Sequence, residues 1–444
     1  MKKVRIGCGA GFSGDRIEPA AELAEKGGLQ YLVFECLAER TIALAHQARM
    51  LSAESGYDPL LEARFHAVLE TCVQNGICII TNMGAANPEA AARRVVSVAG
   101  QLGLSGLKVA IVTGDDVSQL VLAANLVLDD IGLPVQQLGD RFVSANAYLG
   151  SAPLVQALAQ EPDVIITGRV ADPSLFLAPM IHEFGWTAAE LLGRGTIVGH
   201  LLECAGQVTG GYFADPGLKD VAGLARLGFP LAEVCQDGSA IITKAENTGG
   251  KVTVATCKEQ LLYEIHNPSA YLTPDVSADF RGVSLAQEGA DRVYVTGGGG
   301  HAAPETLKVS VSYQNGFHGE GQISYAGSGA RARAQLALAI IQERLNIVGI
   351  ATESLRFDLI GSDSLHGPAI SDLGREPYEV RVRVAAHTLK RQDAIAIGNE
   401  IEALYTNGPA GGGGAVKSVK PVITMDSAAI DRCAVKPQIH YLET

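Results

Sequence analysis

Five short apolar runs, each rich in β-branched residues, set the strongest constraint on the fold. They are residues 4–8 (VRIGC), 31–35 (YLVFE), 77–81 (ICIIT), 108–113 (KVAIVT) and 164–168 (VIITG). Runs of this length and composition read as strands. Between them lie helical patterns. Residues 88–102 place Ala92, Val95, Val96, Ala99 and Leu102 on one face, and residues 117–130 form another such stretch. Strand, helix, strand in this order needs crossover connections. The predicted class is therefore α/β, with a mostly parallel sheet and helices on both faces.

The chain of 444 residues is long enough for two or three domains. Residues 195–300 predict a β-rich extension of the α/β domain, with short strands at 239–243 and 251–256. The break Gly297-Gly298-Gly299-Gly300-His301, followed by Pro304, marks a boundary. Beyond it, two strands are expected within 307–325 around the turn dipeptide Asn315-Gly316. A helix at 329–345, strands at 355–360 and 378–386, a helix at 388–405 and strands at 421–426 and 437–442 follow. We expect an α/β domain over 1–300 and a smaller α+β domain over 305–444.

Composition removes several functions. Forty-eight acidic against 35 basic side chains give a net charge of −13, with no basic block to offset it. Such a surface repels phosphate backbones, so nucleic acid is not the expected partner. No apolar stretch precedes the first glycine turn, and no window has 18 unbroken apolar residues, so neither an export signal nor a membrane span is expected. The eight cysteines lack CxxC spacing and read as cytosolic thiols. We expect a cytoplasmic homo-oligomer.

Several of the predicted strands end in polar loops, and three of these loops run into a proline, at Pro19, Pro88 and Pro173. In open α/β sheets ligands bind beyond the carboxyl ends of the strands. Asp15, Arg16, Glu35, Asn82, Asp115, Asp116, Asn146, Arg169 and Asp172 fall on one such rim. Asn87 and Asp172 also suit helix N-caps. Arg169 offers a fork of donors for a carboxylate or phosphate, or a partner for a rim acid.

The first loop, Gly9-Ala10-Gly11-Phe12-Ser13-Gly14, matches the spacing of a dinucleotide fingerprint, with Glu35 ending the next strand. Pro19 argues against that reading, because there it would fall inside the helix and break its ladder. It fits better as the first residue of a helix starting near Glu18. NAD binding through Gly9, Gly11 and Gly14 remains the alternative. In the second domain Gly411, Gly412, Gly413 and Gly414 either cap a helix or let backbone amides approach a ligand. His200, Glu203 and Cys204 share a helical face and form either a divalent-metal or acid–base group, or a structural one. Glu264 and His266 end another segment, with His266 a further acid–base candidate. No GxSxG elbow and no GxxxxGK[ST] loop is present.

Six stretches, GCGAGFSGDRIEPAAELAEKG, YLVFECLAERTIALA, TNMGAANP, DVIITGRVADPSLFLAPMIHEFGW, GHLLECAGQVTGG and YTNGPAGGGGA, together resemble the acyclic terpene utilisation protein A family. The likeness runs from about residue 3 to about residue 430. It implies a place in the breakdown of branched or terpenoid carboxylic acids handled as coenzyme A thioesters. Many members carry, or are encoded beside, a small domain of about 100 residues. This chain ends without one, so a small partner subunit in trans is expected.

The rim's inventory of acids, a guanidinium and amides, without a nucleophile triad, suits proton abstraction beside a carbonyl. The expected activity is a hydratase or lyase acting on a carboxylate or its thioester. Glu35 or Asp172 would serve as base, Arg169 as substrate anchor, and Asn82 with glycine amides as oxyanion donors, with Asp15 nearby. The other readings are the NAD-dependent oxidoreductase and a non-catalytic subunit whose partner supplies the chemistry.

Overall fold

In the computed structural model, which describes residues 2–367, 369–371 and 374–443, the five predicted strands are present and lie side by side. In chain order the first elements are β1 (Lys3–Ala10), α1 (Glu18–Lys26), β2 (Tyr31–Phe34), α2 (Glu39–Leu51), α3 (Leu61–Asn75), β3 (Cys78–Thr81), α4 (Pro88–Gln101) and β4 (Lys108–Thr113). After them come α5 (Ser118–Ala124), β5 (Phe142–Ala147), α6 (Ala152–Leu158), β6 (Val164–Thr167), α7 (Asp172–Phe184) and α8 (Ala189–Glu203). Strands β1, β2, β3, β6 and β4 pair in parallel in that spatial order. Every residue of β2 and β6 is buried, as expected of strands covered on both faces.

The sheet as a whole is mixed rather than mostly parallel. Beyond β1 it continues through β7 (Pro230–Cys235), β8 (Ala240–Lys244), β12 (Arg292–Thr296) and β11 (Ser284–Gly289), every neighbour antiparallel. At the other edge β18 (Gln438–Glu443) runs antiparallel to β4. The predicted β-rich extension thus forms a hairpin-built flank of the same sheet. Its expected strand at 251–256 is instead the start of α9 (Val254–Leu262). Thr253 caps that helix, its hydroxyl accepting from Thr256 N at 3.2 Å while its own N–H donates to Thr256 Oγ1 at 2.9 Å. Short strands β9 (Tyr271–Leu272), β10 (Ser277–Asp279) and β13 (Gly299–His301) form a separate three-stranded sheet.

The chain divides into two compact units, along other lines than 1–300 and 305–444. The first runs up to Gly139, then Val143–Ser312, and from Met425 on; the second holds Asp140–Phe142 and Tyr313–Thr424. The final strand β18 therefore completes the first unit. In the second unit β15 (Ser354–Ile360), β16 (Glu379–Thr388), β14 (Thr306–Ala326) and β17 (Gly413–Asp431) form one sheet, and the unit boundaries fall inside β14 and β17. Helices α10 (Ala330–Val348) and α11 (Arg391–Asn407) pack on it through Ala334, Ala337, Ile341, Ile397 and Ile401 against Val380, Val382 and Val384. Asn315-Gly316 makes no hairpin. Gly316 takes φ +75° within the continuous strand β14, where a Cβ would meet the Thr388 carbonyl at 2.2 Å. Pairing with β16 begins at the next residue, Phe317.

Candidate active site

Four of the rim residues follow one rule: each stands just past the carboxyl end of a parallel strand. Glu35 follows β2, Asn82 follows β3, Asp115 follows β4 and Arg169 follows β6. These four, with Asn146 and Asp172, form one connected group. Glu35 Oε1 accepts from Asn82 Nδ2 and from Leu37 N, each at 2.9 Å. Asn82 Oδ1 accepts from Cys36 N at 2.8 Å. Asp115 Oδ2 accepts from Arg169 N at 2.8 Å and from Asn146 Nδ2 at 3.0 Å, and Asn146 Oδ1 faces His46 Nε2 at 2.9 Å. Arg169 donates through Nη1 to the Leu37 carbonyl and through Nη2 to Asp172 Oδ1 at 3.0 Å. Its guanidinium also lies 4.1 Å from the centroid of the Tyr148 ring.

Asp172 is not an N-cap. Ala171 takes that position, and Asp172 is the first helical residue of α7, with Pro173 next. Its carboxylate is free of backbone duty and, three residues on from Arg169, meets that guanidinium. Asn87 does cap α4, accepting from Ala90 N at 3.3 Å. Pro19 lies in the first turn of α1, as its fixed φ favours.

Asp172 lines a cavity of about 360 Å³ together with Tyr148, Tyr271, Thr273 and Lys308. Burial raises the Asp172 carboxyl to about 7; Arg169 opposes the rise, and the charges of Glu203, Glu39 and Glu264 add to it. Burial, then the charge of Asp172, pushes Glu35 well above the ordinary range. Burial takes Asp115 to about 6. Glu39 goes the other way: burial would raise it, but the Tyr148 hydroxyl, Arg169 and Lys308 bring it to about 2. At neutral pH the cavity therefore holds one carboxyl poised between its two forms, beside a fixed cation and a fixed anion.

Arg169 and Asn82 do not face this cavity as expected. Arg169 is 2 % exposed, and its terminal nitrogens hold the Leu37 carbonyl and the Asp172 carboxylate. Asn82 accepts from Cys36 N and gives one of its two amide hydrogens to Glu35, and it is not among the residues that line this cavity. Asp15 stands apart. Its oxygens accept from Gly11 N and Arg16 N, each at 3.0 Å, so it fixes the first loop.

That loop is shaped by protein contacts. A Cβ on Gly11 would lie 2.5 Å from the Cys204 carbonyl carbon, so the glycine admits another stretch of backbone. Gly9 packs on the Phe34 ring and Gly14 on the Phe12 ring. Arg64, fully buried, ties the loop down by donating to the carbonyls of Phe12, Ser13 and Asp15 while paired with Asp58 at 3.2 Å. The space at Gly11 that a pyrophosphate would need is filled by backbone. In the second unit Gly411 faces Arg333, Gly412 faces Tyr325, and Gly413 opens β17.

His200 and Glu203 meet, Nδ1 to Oε1, at 2.7 Å. His200 packs against Tyr271 and Phe280. Among the described residues no group of three or more His, Cys, Asp or Glu side chains is placed to hold a metal, so this pair lacks further ligands of that kind. His266 is exposed, whereas Glu264 lies near enough to Asp172 to raise it.

The sequence reading missed Tyr148, Tyr271, Lys308 and Arg64. Tyr148 follows β5, a strand it did not assign. Tyr271 and Lys308 belong to strands whose patterns gave no hint of a site. Among the described residues no helix is long and apolar enough to cross a membrane.

Neither a curated relative nor a solved structure matches the chain. One family model, described as acyclic terpene utilisation family protein AtuA, matches residues 4–441. That span is nearly the whole chain, and the protein therefore belongs to the acyclic terpene utilisation family AtuA.

Proposed function

We propose that this chain is a hydratase or lyase of acyclic terpene breakdown, acting on a branched carboxylic acid or its coenzyme A thioester. The observation that carries this is the Asp172 carboxyl, raised to about 7 by burial and opening on a cavity of substrate size. In the hydration direction the Asp172 carboxylate takes a proton from water as the oxygen bonds to the β-carbon of a conjugated thioester. The Tyr271 hydroxyl donates to the thioester oxygen as negative charge gathers there. The proton then passes to the α-carbon, and dehydration is the reverse. Lys308, half exposed beside Glu39, offers a cation for a substrate carboxylate or phosphate. Arg169, Glu35 and Asn82 hold the base in place. Gly11 and Pro19 argue against the oxidoreductase reading.

The test is incubation of the purified protein with branched unsaturated acyl thioesters, with mass spectrometry of the products. The expected product is heavier by one water. Unchanged thioester in every case, with bound NADH detected instead, would overturn the reading. Turnover appearing only on co-expression with a small partner subunit would identify this chain as one half of the enzyme.

A further inference from the structure

A second cavity, of about 300 Å³, opens on the same strand-end rim, between α2 and the ends of β2 and β3. One face of α2 forms its wall: Thr41, Leu44, Ala45 and Ala48 stand at helical spacing. Leu37 and Met83 also line it. The small side chains of Ala45 and Ala48 leave the space open, and Leu44 is 46 % exposed at its margin. Leu37 joins the two cavities chemically. Its side chain lines the apolar one, and its carbonyl takes the guanidinium of Arg169, which holds Asp172 at the other.

We propose that this cavity binds the acyclic hydrocarbon chain of the substrate. An apolar cavity of about 150 Å³ takes up benzene, so twice that volume suits a chain of about ten carbons. The lining is mostly apolar, with Ser13, Thr41, Asp58 and Asn82 among its few polar groups, which fits a hydrocarbon and offers little to a sugar or a nucleotide. The family's connection with acyclic terpenes points to the same chemistry. The inference rests on the substrate class given under Proposed function, but not on the reaction.

The experiment is equilibrium binding of geraniol, a ten-carbon acyclic alcohol, by titration calorimetry, with farnesol as a longer probe. Ala48→Phe fills the cavity. Leu44→Arg places a charge at its exposed margin, where folding is little affected, and thermal unfolding checks both variants. Geraniol affinity should fall at least tenfold in both, and farnesol should bind the unaltered protein several-fold more weakly than geraniol. Asp172→Asn, which removes the proposed base, should keep geraniol affinity within twofold. Failure of the reaction and failure of the binding site are thus read separately. Geraniol affinity unchanged by both cavity variants, or farnesol binding as tightly as geraniol, would overturn the proposal.

Discussion

At the scale of single residues, Asp172 carries most of the account. Its carboxyl titrates near neutrality because burial opposes its charge, while Arg169 limits the rise. If it acts as the base, activity climbs with pH through about 7, as the carboxylate form appears. Arg169→Gln removes the opposing cation, so the same limb should move to higher pH. A pH–rate profile of both proteins checks this, and an unmoved limb would separate Arg169 from Asp172. The same group bears on stability. Its folded value lies above the unfolded one of about 3.9, so the protonated form is favoured by folding. That contribution is full below the unfolded value and is lost as pH rises through about 7. Glu35 and Asp115 shift in the same direction. Urea denaturation near pH 5 and pH 8 should show a smaller loss of stability for Asp172→Asn than for the unaltered chain.

At the scale of elements, the first loop shows how a familiar spacing can serve another end. Gly11 sits against the backbone at Cys204, just past α8, and Arg64 holds the loop from beneath. Gly11→Ala should cost about 1–3 kcal/mol, read by chemical denaturation, because the opposing atoms are backbone and cannot swing aside. A neutral outcome would mean that the loop relaxes freely. The parallel strands were legible because strands buried on both faces are continuous apolar runs, as at Ile79-Ile80 and Ile165-Ile166. The helix starts at Pro19 and Pro88 were legible through proline's fixed φ. Thr253 was not, because a threonine-rich stretch has the composition of a strand until its side chain is seen capping a helix. Asn315-Gly316 misled for a related reason: the positive φ at Gly316 serves a close approach to the Thr388 carbonyl inside a continuous strand as well as it would serve a turn. At the site, strand ends gave Glu35, Asn82, Arg169 and Asp172, but whether a side chain faces the cavity or holds its neighbour depends on packing that spacing does not encode. Tyr271 and Lys308 reach the cavity from elements far along the chain, where no local pattern singles them out.

At the scale of the whole molecule, the chain returns to its first unit at the end. Strand β18 covers the edge of β4 over six paired residues, from Gln438 with Thr113 to Glu443 with Lys108. An uncovered edge of a central strand invites pairing with other chains. Truncation after Val435 should therefore lower the melting temperature and promote aggregation, as read by scanning calorimetry and light scattering. An unchanged melting temperature would show that β18 is dispensable to the sheet. The second unit has its own core, built on Ile323, Val382 and Ile341, and none of its described residues lines either cavity. The central claim concerns proton transfer at Asp172, and solvent exchange tests it most directly. A branched acyl-CoA thioester incubated with the protein in deuterium oxide should gain deuterium at the α-carbon. The Asp172→Asn variant should slow that gain by about 10²–10⁴-fold. Equal exchange in the two proteins would contradict the account.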